Sequence, residues 1–187
     1  MSDTALTIGF TDPPRQAARA FRVLLNAMAR PGRLYALEGT DAPLPLSEAA
    51  ALTLLTLCDP ETPVFLAGAA DTSAVRNWLT FNTGAPLTGP EHCAFAVGRW
   101  DALLPLDRYP LGTDQYPDRS ATLIVEMDAL SNTGTTLAGP GIDGTVALSF
   151  PDPAALTANR RLFPRGLDMI LTAGSTVAGL PRSVRVL

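Results

Sequence analysis

The sequence predicts an α/β fold, a three-layer α/β/α sandwich around a mixed sheet, and three observations carry that reading. Segments with helical spacing alternate with short apolar runs through the first half of the chain. One run, Thr122 to Val125, is apolar without interruption, as a central strand buried on both faces requires. Toward the end the runs follow one another directly, which predicts strands paired with their neighbours in sequence. The 187 residues show no repeat, low-complexity tract or long linker, so the expectation is a single domain over residues 1–187. A chain of that size buries on the order of 70% of its unfolded surface without needing a disulfide or metal.

Taken in order, Thr11 or Asp12 is expected to cap a helix that Pro13 and Pro14 open. Its apolar face reads Ala17, Phe21, Leu24, Leu25 and Met28, and Arg30-Pro31-Gly32 ends it. Arg33 to Glu38 alternates polar and apolar residues as a short strand does. Ser47 caps a second helix to Leu57, and Pro63 to Ala67 reads as a strand. Asp71 to Phe81 is a helix packed through Val75, Trp78 and Leu79, with Asp71 as its cap. Cys93 to Val97 is the next strand, and Arg99 to Arg119, with its three prolines, is loop plus a short helix. Gly134 to Leu148 predicts two short strands joined at Gly139-Pro140-Gly141. Asp152 caps a helix that Pro153 opens and that runs to about Leu162. Met169 to Thr172 and Thr176 to Leu180 form a hairpin.

Residue chemistry mainly excludes. All fourteen basic residues are arginine, and His92 is the one histidine. Without a lysine amine no Schiff-base enzyme works, and no Walker-A loop is possible. The net charge of −4 argues against nucleic acid, which needs a concentrated basic face. The start carries no basic n-region and no long apolar stretch, so no signal peptide is expected. No run approaches the roughly 20 apolar residues of a membrane span. Cys58 and Cys93 lie far apart without a CxxC pair, which predicts a soluble cytoplasmic protein with reduced thiols. Charged residues make up 17% of the chain, against about 25% for an average protein. Either covered interfaces or a codon usage favouring Ala, Arg, Pro and Gly accounts for that.

Candidate sites are few. His92 beside Cys93 suggests a nucleophile pair, but in an extended stretch neighbouring side chains point to opposite faces. Buried, apolar roles are the expectation for both thiols. No ligand spacing supports a metal site. Gly139-Pro140-Gly141 could present amides to a phosphate, yet no helix follows it, so a tight hairpin is the reading. The segment Asn159 to Gly166 places Arg160, Arg161 and Arg165 together, the one local cluster of positive charge seen in the sequence. Such guanidinium forks fit a phosphate, a carboxylate or an acidic partner, and equally a cationic helix end. A stand-alone enzyme or binding protein for a phosphorylated nucleotide would use that cluster.

A series of short words runs along the chain in order. They are Gly9-Phe10, Asp12-Pro13, Phe21-Arg22, Leu24-Leu25 and Ala27-Met28-Ala29-Arg30-Pro31-Gly32. Leu54-Leu55-Thr56-Leu57 with Asp59, Thr62-Pro63-Val64 and Phe81-Asn82-Thr83-Gly84-Ala85-Pro86 follow in order. Leu137 to Ile142, Phe163 to Asp168, Ile170-Leu171 and Leu180-Pro181-Arg182 complete the series; Arg99 to Arg119 has no counterpart in it. This series resembles the PhnH family, the H subunit of the bacterial carbon–phosphorus lyase core complex, and the resemblance implies a fold like the large domain of pyridoxal-phosphate-dependent transferases, with the cofactor lost and none in its place. It implies a non-catalytic role beside subunits G, I and J in phosphonate degradation. There the set supports transfer of the ribose triphosphate of ATP to an alkylphosphonate. The low charge density, in turn, makes a homodimer the expectation when those partners are absent. The resemblance supplies no catalytic residue for any position of this chain.

Overall fold

The computed structural model describes residues 9–187 and is an α/β protein built on a six-stranded mixed sheet. Four parallel strands form its centre and one edge: β2 (Val64–Leu66), β3 (Phe95–Arg99), β4 (Thr122–Glu126) and β7 (Asp168–Ala173). The hairpin partner β8 (Thr176–Leu180) and then β1 (Tyr35–Ala36) extend it antiparallel on the other side of β7. The expected hairpin and the fully buried central strand both hold: Leu123, Ile124 and Val125 are wholly inaccessible. The strand expected over 33–38 shortens to two residues. The one expected over 93–97 starts two residues later, because a 3-10 turn at Pro90–His92 holds Cys93 back.

Three helices cover one face of the sheet: α1 (Pro13–Ala29), α2 (Glu48–Leu57) and α3 (Ser73–Thr83). α2 lies between the other two and is buried on nearly every side from Ala49 to Leu54, which suits its unbroken run of Ala, Leu and Thr. Ser47 caps it, its hydroxyl accepting the Ala50 N–H at 3.2 Å. On α3 the expected packing residues Val75, Trp78 and Leu79 are buried. Its cap, however, is Thr72, which accepts the Val75 N–H; Asp71 turns outward to pair with Arg76. Asp12 stands at the start of α1 without a side-chain capping bond, and the Gln16 side chain accepts the Asp12 N–H instead at 2.7 Å.

α1 departs most from the sequence reading. Its buried residues are Ala20, Leu24 and Ala27, while Phe21 and Leu25 are 53% and 57% exposed. The reason is proximity. The helix backbone sits so close to β8 that a methyl added at Gly179 would lie 2.5 Å from the Ala27 carbonyl oxygen. Alanines fit that gap and phenylalanine does not, so the helix turns its small residues inward.

The opposite face carries α4 (Trp100–Leu103), α5 (Pro153–Arg161) and a second sheet of β5 (Thr135–Ala138), β6 (Val146–Leu148) and β9 (Arg185–Val186). The expected pair of strands over 134–148 thus exists, joined by the glycine turn, but it forms a sheet of its own with the chain's end. The third layer is therefore part helix and part sheet. Asp152 caps α5 through the Ala155 N–H at 2.9 Å.

Candidate functional site

The connections leaving adjacent strands β2 and β3 at their C-terminal ends part to opposite faces, toward α3 and α4. Such a divergence opens a crevice beyond the strand ends, where α/β sheets place their ligands. In this chain it is a cleft of about 400 Å³ bounded by Leu44 to Ser47, Ala69, Ala70, Gly98, Arg99, Glu126, Met127, Asp128 and Gly174. Gly98 in this lining packs closely on the end of β2, where an added Cβ would lie 2.8 Å from the Ala67 carbonyl oxygen.

Glu126, the last residue of β4, is the cleft's central polar group. One carboxylate oxygen accepts the Ser47 N–H at 2.7 Å, at the mouth of α2, and the other accepts the Thr172 hydroxyl at 3.1 Å. Burial raises its pKa above the ordinary value, outweighing these hydrogen bonds and the nearby Arg99, which favour the charged form. At the rim Arg99 and Asp128 form a two-pronged pair at 2.8 and 3.0 Å, which holds the Asp128 carboxyl below its usual range. This lining can hold a small molecule by hydrogen bonds. The Ser47 hydroxyl in this lining is engaged at the cap of α2. Sequence reasoning missed Glu126, whose only signal is a carboxylate closing an otherwise apolar strand.

The residues singled out by sequence lie elsewhere. His92 is exposed in the 3-10 turn, and Cys93 follows it buried, its thiol donating to the Pro90 carbonyl. The stretch is therefore turn, not the extended strand expected. Burial pushes the Cys93 thiol up to about 11; burial with Asp59 beside it pushes Cys58 to about 12. Neither thiol forms a thiolate readily, so neither is poised for attack. The Gly139-Pro140-Gly141 turn is a hairpin turn packed on the end of α1, with no room at Gly141, where a Cβ would meet the Ala29 carbonyl at 2.1 Å.

Arg160, Arg161 and Arg165 follow one another around the end of α5 without converging on a pocket. Arg160 stacks on the Phe163 ring at 4.5 Å, and Arg165 pairs with Asp114 at 3.2 Å. Arg161 is exposed in the last helical turn. The segment's interior is a latch. Buried Asn159 exchanges two hydrogen bonds of 2.8 Å with the backbone of Leu167, over a Gly166 held at φ +118°. Next to it Arg182 donates to Asp168, to the Ser120 hydroxyl and to the Pro117 carbonyl, an ion pair mostly shielded from solvent. Among the described residues no three His, Cys, Asp or Glu side chains are grouped to hold a metal ion, and no helix is long and apolar enough to cross a membrane.

With the cleft's Ser47 and Glu126 held in internal hydrogen bonds and Arg182, Asp168 and Asn159 engaged within the fold, relatives carry the next step. Residues 8–187 match the family model described as "Bacterial phosphonate metabolism protein (PhnH)". A Rhizobium meliloti (strain 1021) protein, named "Alpha-D-ribose 1-methylphosphonate 5-triphosphate synthase subunit PhnH", is 40% identical over 186 residues, 95% of this chain and 93% of its own. A Stutzerimonas stutzeri protein, "Putative C-P lyase subunit protein HtxG", is 29% identical over 92% of this chain and 86% of its own. Matched from its first described residue to its last, the chain belongs to the PhnH family of bacterial phosphonate metabolism proteins.

Proposed function

We propose that this chain is a non-catalytic subunit of a cytoplasmic phosphonate-processing assembly, bound with subunits G, I and J of a carbon–phosphorus lyase system. In that assembly the ribose triphosphate of ATP is transferred to an alkylphosphonate, a phosphonate oxygen replacing adenine at the ribose C1 and adenine leaving as the free base, to give a ribose 1-alkylphosphonate 5-triphosphate; this chain contributes surface while its partners contribute the reacting groups. The observation that carries the reading is the end-to-end match to a protein named as a subunit of the corresponding synthase. Two features support it: the chain has no lysine, and burial raises both thiols. The cleft beyond β2, β3 and β4 is then the remnant of a cofactor crevice in a fold descended from pyridoxal-phosphate-dependent transferases, now without the amine that would hold the cofactor. Of the three clustered arginines, Arg160 and Arg165 are engaged within the fold, so any contact with an anion or a partner falls to Arg161 as a single rim charge of small effect. In the absence of partners the chain forms a homodimer.

Native mass spectrometry of the full chain, alone and mixed with the other subunits at micromolar concentration, tests this. The expected spectra contain the chain in complexes with those subunits, and the isolated chain leaves ATP and methylphosphonate unchanged. Turnover by the chain alone, or failure to join any of the subunits, would overturn the proposal.

A further inference from the structure

We infer that the outward face of α1 is a docking seam for an amphipathic helix of a partner protein, one whose flank is acidic. The inference deepens the proposed function and rests on it, because it names the surface and the partner chemistry by which such a subunit would be held.

Three observations combine. The first is the exposed stripe itself. Pro14, Ala18, Phe21 and Leu25 are exposed and recur at intervals of four, three and four residues, the spacing of a helix–helix seam. Small Ala18 beside large Phe21 and Leu25 makes the alternation of knob and hollow that lets a second helix approach to about 8–10 Å. The helix cannot turn this stripe inward, since Gly179 and Ala27 fix the opposite side against β8.

The second is charge. Between Pro13 and Arg33 the sequence holds five arginines and no Asp or Glu, so the rest of the chain carries nine arginines against all eighteen carboxylates. Arg15 and Arg22, seven residues apart, each follow a stripe residue by one position, the place that flanks a helical seam, and Arg19 lies between them on the same side. All three are exposed. Among the described residues Arg19 and Arg22 have no ion pair, and Arg15 only a loose one with Asp12 at 3.7 Å. Unpaired cations beside an apolar seam select an acidic flank opposite.

The third is what this pattern disfavours. A second copy of the chain would bring the same arginines face to face. A lipid surface is served poorly by a stripe one side chain wide with two large apolar residues, since membrane-surface helices bury a broad apolar face.

The test uses the full chain with the other lyase subunits, comparing wild type, Phe21→Ser/Leu25→Ser and the charge reversal Arg15→Glu/Arg22→Glu. All four side chains concerned lie outside the core, and circular dichroism melts verify that each variant stays folded. Either double variant is expected to weaken association at least tenfold, with the charge reversal losing its effect as salt is raised to about 0.5 M. Equal association of wild type and both variants would overturn this inference and leave the proposed function standing; a wild-type chain that joins no subunit would sink the proposed function first. Three further outcomes would also overturn it. One is binding of the wild type, but not the serine variant, to vesicles containing phosphatidylserine. Another is a homodimer of the isolated chain that only the serine variant abolishes. The last is hydrogen-exchange protection of α1 that vanishes when residues 1–8 are deleted, which would make the chain's own start the occupant.

Discussion

Arg160, Arg161 and Arg165 stand within six residues of one another, yet one stacks on Phe163, one pairs with Asp114, and the segment they sit in is latched by Asn159 and the Arg182–Asp168 pair. Arg15, Arg19 and Arg22 are spread over eight residues, look diffuse in the sequence, and come together as one flank of α1 with almost no partners inside the fold. Density of arginine along the chain thus says little about use. What separates the two regions is the contacts the fold gives their guanidinium groups: a ring for Arg160 and a carboxylate for Arg165, against one loose pair for Arg15 on α1.

The largest expected effect comes from breaking the C-terminal region where it is most committed. Arg182→Ala strands Asp168 mostly buried and removes the donors to Ser120 and Pro117, and should cost about 3–5 kcal/mol of stability in urea denaturation. Arg182→Lys should recover only part, since an ammonium cannot span those three directions. A variant as stable as wild type would show that this region is not structural and would reopen a ligand-binding role for it.

The two faces of α1 give the next contrast. Leu24→Ala should cost about 2–4 kcal/mol, because Leu24 is almost fully buried. Phe21→Ser, three residues away, should change stability by less than about 0.5 kcal/mol. Similar losses at both positions, measured by thermal melts of the isolated chain, would mean that α1 turns Phe21 as well as Leu24 toward the sheet.

These faces also mark how far the sequence could be read. Helix starts were legible at Ser47, Pro13 and Asp152, where the capping or opening chemistry is local, but not at α3, where Thr72 caps in place of Asp71. The strand Thr122–Glu126 and the hairpin were legible because burial on both faces leaves an unbroken apolar run. The facing of α1 was not, because a periodicity of three and four admits two adjacent stripes. A glycine near the far end of the chain, Gly179, chooses between them. The second sheet escaped because strands of two to four residues carry too little pattern, and β9 pairs with β5 from across the chain. The cleft escaped because its polar members, Ser47, Arg99, Glu126 and Asp128, are brought together only by the strand order.

A smaller effect probes that cleft. Burial raises the Glu126 pKa in the folded state, so over the interval between the unfolded and folded values the native protein holds more proton than the unfolded chain. Stability must therefore fall as pH rises through that interval, and the deficit is complete above the folded pKa. Glu126→Gln keeps an oxygen for the Ser47 N–H and removes the titration, so its stability should decline less between about pH 4 and pH 7 than that of the wild type. An unchanged slope would place the pH dependence at another group.

The most direct measurement sets the two arginine regions side by side in one binding titration against the remaining lyase subunits. Arg15→Glu/Arg22→Glu is expected to weaken the complex at least tenfold, while Arg161→Glu/Arg165→Glu stays within about threefold of the wild type, as rim charges do. The reverse order, with the C-terminal pair decisive and α1 indifferent, would contradict the account.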